Sequence, residues 1–216
     1  MNKHIPINEV INHIKSGMTI MIGGFLGNGN PHKIIDFLVQ TSIDNLTIIA
    51  NDTAMPDYGI GKLIVNKQVK KIITSHIGTN PITGNMMNNN EIEVEFSPQG
   101  TLAERIRCGG AGLGGVLTKT GLGTIVAENK QVVSVKGEDY LLEIPLRADI
   151  TLLGASKGDK MGNLQYIGTS QNFNPIMATA ADIVIAEIDQ LVEIGKIEPE
   201  YVHTPAIFVD YLIYEQ

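Results

Sequence analysis

Four polar segments hold the residues best suited to grip a carboxylate or a carbonyl oxygen. They are Gly23-Gly24-Phe25-Leu26-Gly27-Asn28-Gly29-Asn30, Asn51-Asp52-Thr53, His76-Ile77-Gly78-Thr79-Asn80, and the lone amide Gln99. Side-chain amides, and backbone N–H groups laid open by glycine, stabilise an anionic or developing oxyanion oxygen without any cation. Taken singly, Asn51 or Asn80 reads equally well as a turn former. Four such segments, each just beyond a predicted strand, favour a site.

Other chemistries fit the residues poorly. Gly24 and Gly29 have the glycine spacing of a phosphate-binding loop, but Asn30 and Pro31 follow where Lys and then Ser or Thr are required. Gly110-Ala111-Gly112-Leu113-Gly114-Gly115 matches a dinucleotide fingerprint in letters only. It follows a predicted helix, whereas that fingerprint must follow a strand and open a helix, so a turn or flap is the better reading. The five histidines, His4, His13, His32, His76 and His203, show no metal-ligand spacing, and no metal is expected. There is no G-x-S-x-G elbow, and Cys108 beside Arg107 at a predicted helix end reads as a packed thiol.

The elements that must position these segments follow from periodicity and punctuation. Residues 8–16 read as a helix with Val10, Ile11 and Ile14 on one face, closed by Gly17. Thr19–Ile22 is an apolar run fit for a buried parallel strand. Asn30 as N-cap and Pro31 in the first turn open a helix bearing Ile34, Ile35, Leu38 and Val39. Further strands are expected at 46–50, 70–75 and, by strict alternation, 92–96. Thr101 and Glu104 have capping-box spacing ahead of a short helix to Arg107. Strands at 148–154 and 182–188 flank a helix at 175–181, and the tail around 207–213 reads as a strand. Strands alternating with helices predict an α/β fold with an open parallel or mixed sheet flanked by helices. Residues 1–216 are expected to form one domain, with a small β-rich flap at about 109–145.

Composition narrows the partners. A net charge of −7 argues against nucleic acid, which requires a basic face. It also means that any anionic ligand must be held by local amides or by another chain. One cysteine forms no internal disulfide, and the first residues lack an apolar leader core, so a cytoplasmic protein is expected. No apolar run is long enough to cross a membrane.

With these residues in view, Ile20-Met21-Ile22-Gly23-Gly24-Phe25, three residues, Gly29, one residue and Pro31 resemble the signature of the family I CoA-transferases. The one departure is Ser16, before Gly17, where that signature has Asp or Asn. Further matches run in order along the chain: Ile49–Ala54, Ser75–Asn80, Pro98–Gly115, Pro145–Asp149 and Asn172–Pro175. They are similar to the α subunits of the family members that act on acetate, butyrate and acetoacetate.

The resemblance implies a ping-pong reaction in which a glutamate carboxylate attacks an acyl-CoA thioester and becomes a glutamyl-CoA thioester, from which the incoming acid takes CoA. In this family that glutamate lies in a Ser-Glu-Asn-Gly motif of the β half. The motif does not occur here, and neither Glu104 nor Glu187 is a persuasive substitute. The chain is therefore expected to contribute no catalytic nucleophile and to need a β subunit, by resemblance as α2β2, with a homodimer open to the chain alone. The substrates are CoA, acyl-CoA and short-chain carboxylates; no separate cofactor is expected. By resemblance Gln99 and Asn51 lie at the substrate rim, with Gly24, Phe25, Gly27, Gly29, Gly78 and Asn80 lining the cleft. Asp52 stands where the fused succinyl-CoA:3-ketoacid enzyme has a second asparagine. The competing readings are an acyl-CoA or sugar-phosphate sensor of the same fold, and a self-sufficient single-chain transferase.

Overall fold

The structure, a computed structural model, describes residues 3–215. Its main sheet has eight strands. Four of them, β1 (Thr19–Ile22), β2 (Leu46–Ile49), β3 (Val69–Thr74) and β4 (Glu93–Phe96), run parallel in chain order from the centre to one edge. A smaller sheet comprises β5 (Val116–Thr118), β6 (Val132–Val135) and β7 (Glu138–Glu143), antiparallel in the order β5-β7-β6. The chain then re-enters the main sheet through the long β8 (Ala148–Asp159). The short β9 (Leu164–Gln165) turns back antiparallel on β8, and β10 (Ala181–Val192) and β11 (Tyr211–Ile213) complete the other half.

The main-sheet order β11-β10-β8-β1-β2-β3-β4 reverses direction at β1 and β8. Connections leaving β1 and β8 diverge there, which opens a crevice at the carboxyl ends of the strands.

Alternation along β1 explains the layers. Ile20 and Ile22 pack with Ile34, Ile35 and Leu38 of α1 (His32–Val39), with Leu63 and Ile64 of α2 (Gly61–Val65), and with Met86 of α3 (Pro81–Asn88). Met21 faces the other way, into a second cluster with Leu102 and Ile106 of α4 (Gln99–Gly110) and Met177 of α5 (Asn174–Met177). Each fully buried Ile or Leu contributes about 1.5–3 kcal/mol, so both faces of the sheet are tightly held. The fold class matches the sequence reading, and the antiparallel sheet falls within the 109–145 segment.

Several boundaries differ, each for a physical reason. Residues 8–16 do not form an α-helix; Ile7–Asn12 is a 3₁₀ segment with Val10 buried and Ile11 at the surface, entered from Pro6 with no side-chain cap. Helix α1 starts one residue later than expected, because Asn30 spends its amide elsewhere. Helix α4 begins at Gln99, not Thr101: the Leu102 N–H already bonds Pro98 O, Thr101 is buried, and Glu104 pairs with Arg107 instead of capping. In the tail, Ala206–Phe208 is 3₁₀ and only Tyr211–Ile213 pairs as a strand. The strands expected at 148–154 and 182–188 continue to Asp159 and Val192 because they pair with each other over their whole length. The helix expected at 175–181 is the single turn α5.

Candidate functional site

The loops after β1, β2, β3 and β4 converge on one cleft of about 330 Å³. Its walls are Phe25 and Leu26 from the first loop, Asn51 and Asp52 from the second, Ser75, His76 and Thr79 from the third, and Gln99 at the start of α4. The four polar segments picked out by residue type thus meet in space.

The first loop is built to hold its shape. The Asn30 amide donates to Gly23 O and accepts from the Ile60 N–H at 3.2 Å, which ties the loop to the start of α2. Gly24 has φ +137°, and a Cβ there would collide with that Asn30 amide. Gly27 has φ +86°, and a Cβ there would strike the ring of Tyr58. Both positions demand glycine by conformation and by space. The Asn172–Pro175 motif explains itself as the loop's second anchor. Asn172 Oδ1 accepts from the Gly24 N–H at 3.0 Å, and Asn172 Nδ2 and Asn174 Nδ2 donate to Asn28 O and Gly29 O.

This bracing consumes most of the N–H groups the sequence offered for substrate. Those of Gly24, Phe25, Leu26, Asn28 and Asn30 donate respectively to Asn172, Asn28 O, Asp52, Phe25 O and Gly27 O. Gly24, Gly27 and Gly29, expected at the cleft, do not line it: Gly24 and Gly27 are buried within the braced loop, and Gly29 lines a separate pocket beside Glu187.

At the floor of the cleft the side chains form a directed chain. Asp52 Oδ1 accepts from the Ala54 N–H at 2.7 Å, and Oδ2 accepts from the Leu26 N–H and from Asn51 Nδ2, both at 2.8 Å. Asn51 Oδ1 in turn accepts from Gln99 Nε2 at 2.7 Å. Ser75 Oγ donates to Asn51 O at 2.6 Å and lies 3.3 Å from Asn51 Oδ1. Asn51 is 1% exposed and Asp52 5%, whereas Gln99 is open to solvent.

The remaining sequence candidates are placed differently. Asn80 does not line the cleft. It is fully buried, its Oδ1 caps α3 by accepting from the Ile82 and Thr83 N–H groups, and its Nδ2 donates to Thr53 O at 3.1 Å. The dipeptide Asn80-Pro81, a cap followed by a first-turn proline, carried that signal. Gly78 is exposed on the same loop but outside the cleft wall. Within the 76–80 segment it is His76 and Thr79 that line it, together with Ser75, which lies just before that segment and was not singled out.

Neither of the two glutamates considered as a nucleophile lines this cleft. Glu104 is ion-paired to Arg107 at 2.7 Å. Glu187 is 8% exposed and accepts from the Ile34 N–H at 2.9 Å at the start of α1, in a separate pocket of about 110 Å³. Burial pushes its carboxyl above the usual range, partly offset by the α1 backbone donors. Cys108 is a buried free thiol. Among the described residues no cluster of His, Cys, Asp and Glu could hold a metal ion, and no helix is long and apolar enough to cross a membrane.

A family model described as Coenzyme A transferase matches residues 5–215. The acetoacetyl-CoA:acetate/butyrate CoA transferase alpha subunit of Clostridium acetobutylicum is 56% identical over 214 residues, covering 99% of this chain and 98% of the relative. The acetate CoA-transferase subunit alpha of Escherichia coli is 50% identical over 214 residues, covering 99% and 97%. Among solved structures, the acyl-CoA transferase YdiF apoenzyme from Escherichia coli O157:H7 superposes with a TM-score of 0.86 at 21% identity, covering 99% of this chain and 47% of that one. The fold, the Gly23–Pro31 loop and these relatives agree: the chain belongs to the coenzyme A transferase family.

Proposed function

We propose that this chain is the α subunit of a two-subunit CoA-transferase that moves CoA between short-chain acyl-CoA and acetate, butyrate or acetoacetate. The observation that carries the reading is the state of its carboxylates. Asp52, the one carboxylate among the described residues lining the cleft, already accepts three N–H donors, and Glu104 and Glu187 are committed elsewhere. The cleft supplies amide donors around a reacting carbonyl and leaves the attacking carboxylate to another chain. A glutamate of a β subunit fills that role, becoming acyl-linked and then thioester-linked to CoA before the acid takes the CoA away. The names of the two relatives above, both alpha subunits, support this assignment.

In this reading residues 1–216 act as one unit in a cytoplasmic α2β2 assembly. Gln99 and Asn51 face the reacting carbonyl region. The exposed apolar side chains of Phe25, Met55 and Tyr58, on the loops after β1 and β2, meet the β subunit. Acetyl-CoA:acetoacetate transfer, assayed for the chain alone and mixed with the β-type subunit of the same organism, tests the proposal. Activity in the mixture alone is expected; full activity of the isolated chain overturns it.

A further inference from the structure

A carboxylate accepts hydrogen bonds and donates none, whereas a side-chain amide does both and can be turned end for end. This asymmetry gives the Asp52–Asn51–Gln99 chain a direction. Both Asp52 oxygens face N–H donors: Oδ1 the Ala54 amide, Oδ2 the Leu26 amide and the Asn51 side chain. Asn51 must therefore point Nδ2 toward Asp52 and Oδ1 away. Its Oδ1 then faces Gln99, which must answer with Nε2, as observed at 2.7 Å. One N–H of Gln99 is spent; the other, with Oε1, remains at the exposed end of the chain.

Asp52 also ties together two of the loops that form the wall, those after β1 and β2. Leu26 and Ala54 both sit at positive φ, 51° and 48°, without being glycine, and each donates its backbone N–H to this carboxylate. A neutral amide at position 52 would offer one acceptor where three donors converge. Its own NH₂ would face an N–H, and Asn51 would lose the reason to keep one orientation.

We propose that Asp52 is a positioning residue: it fixes the polarity of the Asn51–Gln99 pair so that Gln99 keeps one N–H aimed at the carboxylate of the incoming acid. This rests on the transferase reading for its substrate, but the polarity itself does not.

The first test therefore needs only this chain. In Gln99→Glu, Asn51 Oδ1 faces the new carboxyl. That carboxyl makes the bond only when protonated, so its pKa, followed by ¹³C NMR titration, should lie at least one unit above the ordinary value of about 4.3. In the double variant Asn51→Ala with Gln99→Glu, the acceptor facing position 99 is gone while the Asp52 charge stays, and the pKa should fall toward about 4.3. A pKa for the introduced carboxyl at or below the ordinary value in the single variant overturns the proposal, as does an equally raised value in both. The second test is kinetic, in the reconstituted two-subunit enzyme. Asp52→Asn should raise KM for the acid at least tenfold while kcat changes less than threefold. A KM within twofold of the parent's overturns the positioning role. A parent enzyme with no transfer activity would sink the transferase reading and leave the titration to decide the polarity.

Discussion

Replacing Asn80 by alanine separates scaffold from site, because Asn80 carries two structural duties and touches no cleft. Its Oδ1 accepts from the Ile82 and Thr83 N–H groups at 3.2 and 3.3 Å. Losing an N-cap acceptor costs about 1 kcal/mol, within a range of roughly 0.5–2. Its Nδ2 donates to Thr53 O, and a buried carbonyl stripped of its donor costs about 1–3 kcal/mol. Together the variant should lose about 2–4 kcal/mol, which for a chain of this size lowers Tm by roughly 4–16 °C. Asn80→Ser keeps a capping oxygen without the donor to Thr53, and should fall between parent and alanine. Denaturant melts of all three proteins give the stabilities, and transfer assays at 25 °C on the reconstituted enzyme give activity per folded molecule. Stability should drop in that order while kcat/KM stays within a few-fold of the parent. A stable Asn80→Ala with a hundredfold activity loss would refute the reasoning and return Asn80 to the substrate.

Gln99→Ala should show the reverse pattern. The residue is exposed and its bond to Asn51 adds only about 1 kcal/mol to stability, but loss of an N–H donor to the carboxylate of the incoming acid, worth about 1.5–3 kcal/mol, should raise KM for the acid at least tenfold, which steady-state kinetics and a melt together resolve. Gly24→Ala should destabilise by more than about 2 kcal/mol, since a Cβ meets the Asn30 amide at a φ of +137°, and thermal unfolding checks it. Arg105→Met removes the partner of Glu95 at 3.0 Å and a neighbour of the buried Glu143 at 3.9 Å. A loss of about 3 kcal/mol is expected by denaturant melts, a value softened by Lys130, which still pairs with Glu143. Glu187 gives a pH signature. Its folded carboxyl titrates above the ordinary glutamate value, so between that value and its raised one the folded state holds more protons than the unfolded. Stability must then fall as pH rises through that window, and Glu187→Gln should flatten this part of the stability–pH curve.

Much of the architecture was written in local patterns. The apolar runs at 19–22 and 46–49 became central parallel strands because they are buried on both faces, the strand expected at 70–75 formed as Val69–Thr74 with its Ile72–Thr74 end buried, and the glycine cluster at 23–29 marked the loop where backbone and side chains crowd. What local pattern could not show was the use of each polar group. Asn30 has the ideal residue type for an N-cap, yet bonding Gly23 O and the Ile60 N–H across the loop wins. Thr101 and Glu104 have capping-box spacing, but Pro98 starts the helix a turn earlier and buries the threonine. The backbone donors of the glycine loop looked free for substrate, and Asn172, 148 residues from Gly24 in sequence, takes one of them. Long-range partners of this kind are invisible to spacing, and they decide which of the amides gathered by the four loops remain available.

Intact-mass spectrometry of the two-subunit enzyme after brief exposure to acetoacetyl-CoA tests the central claim most directly. A covalent CoA adduct on the β subunit, with this chain at its unmodified mass, is the predicted result. An adduct carried by residues of this chain would contradict the account.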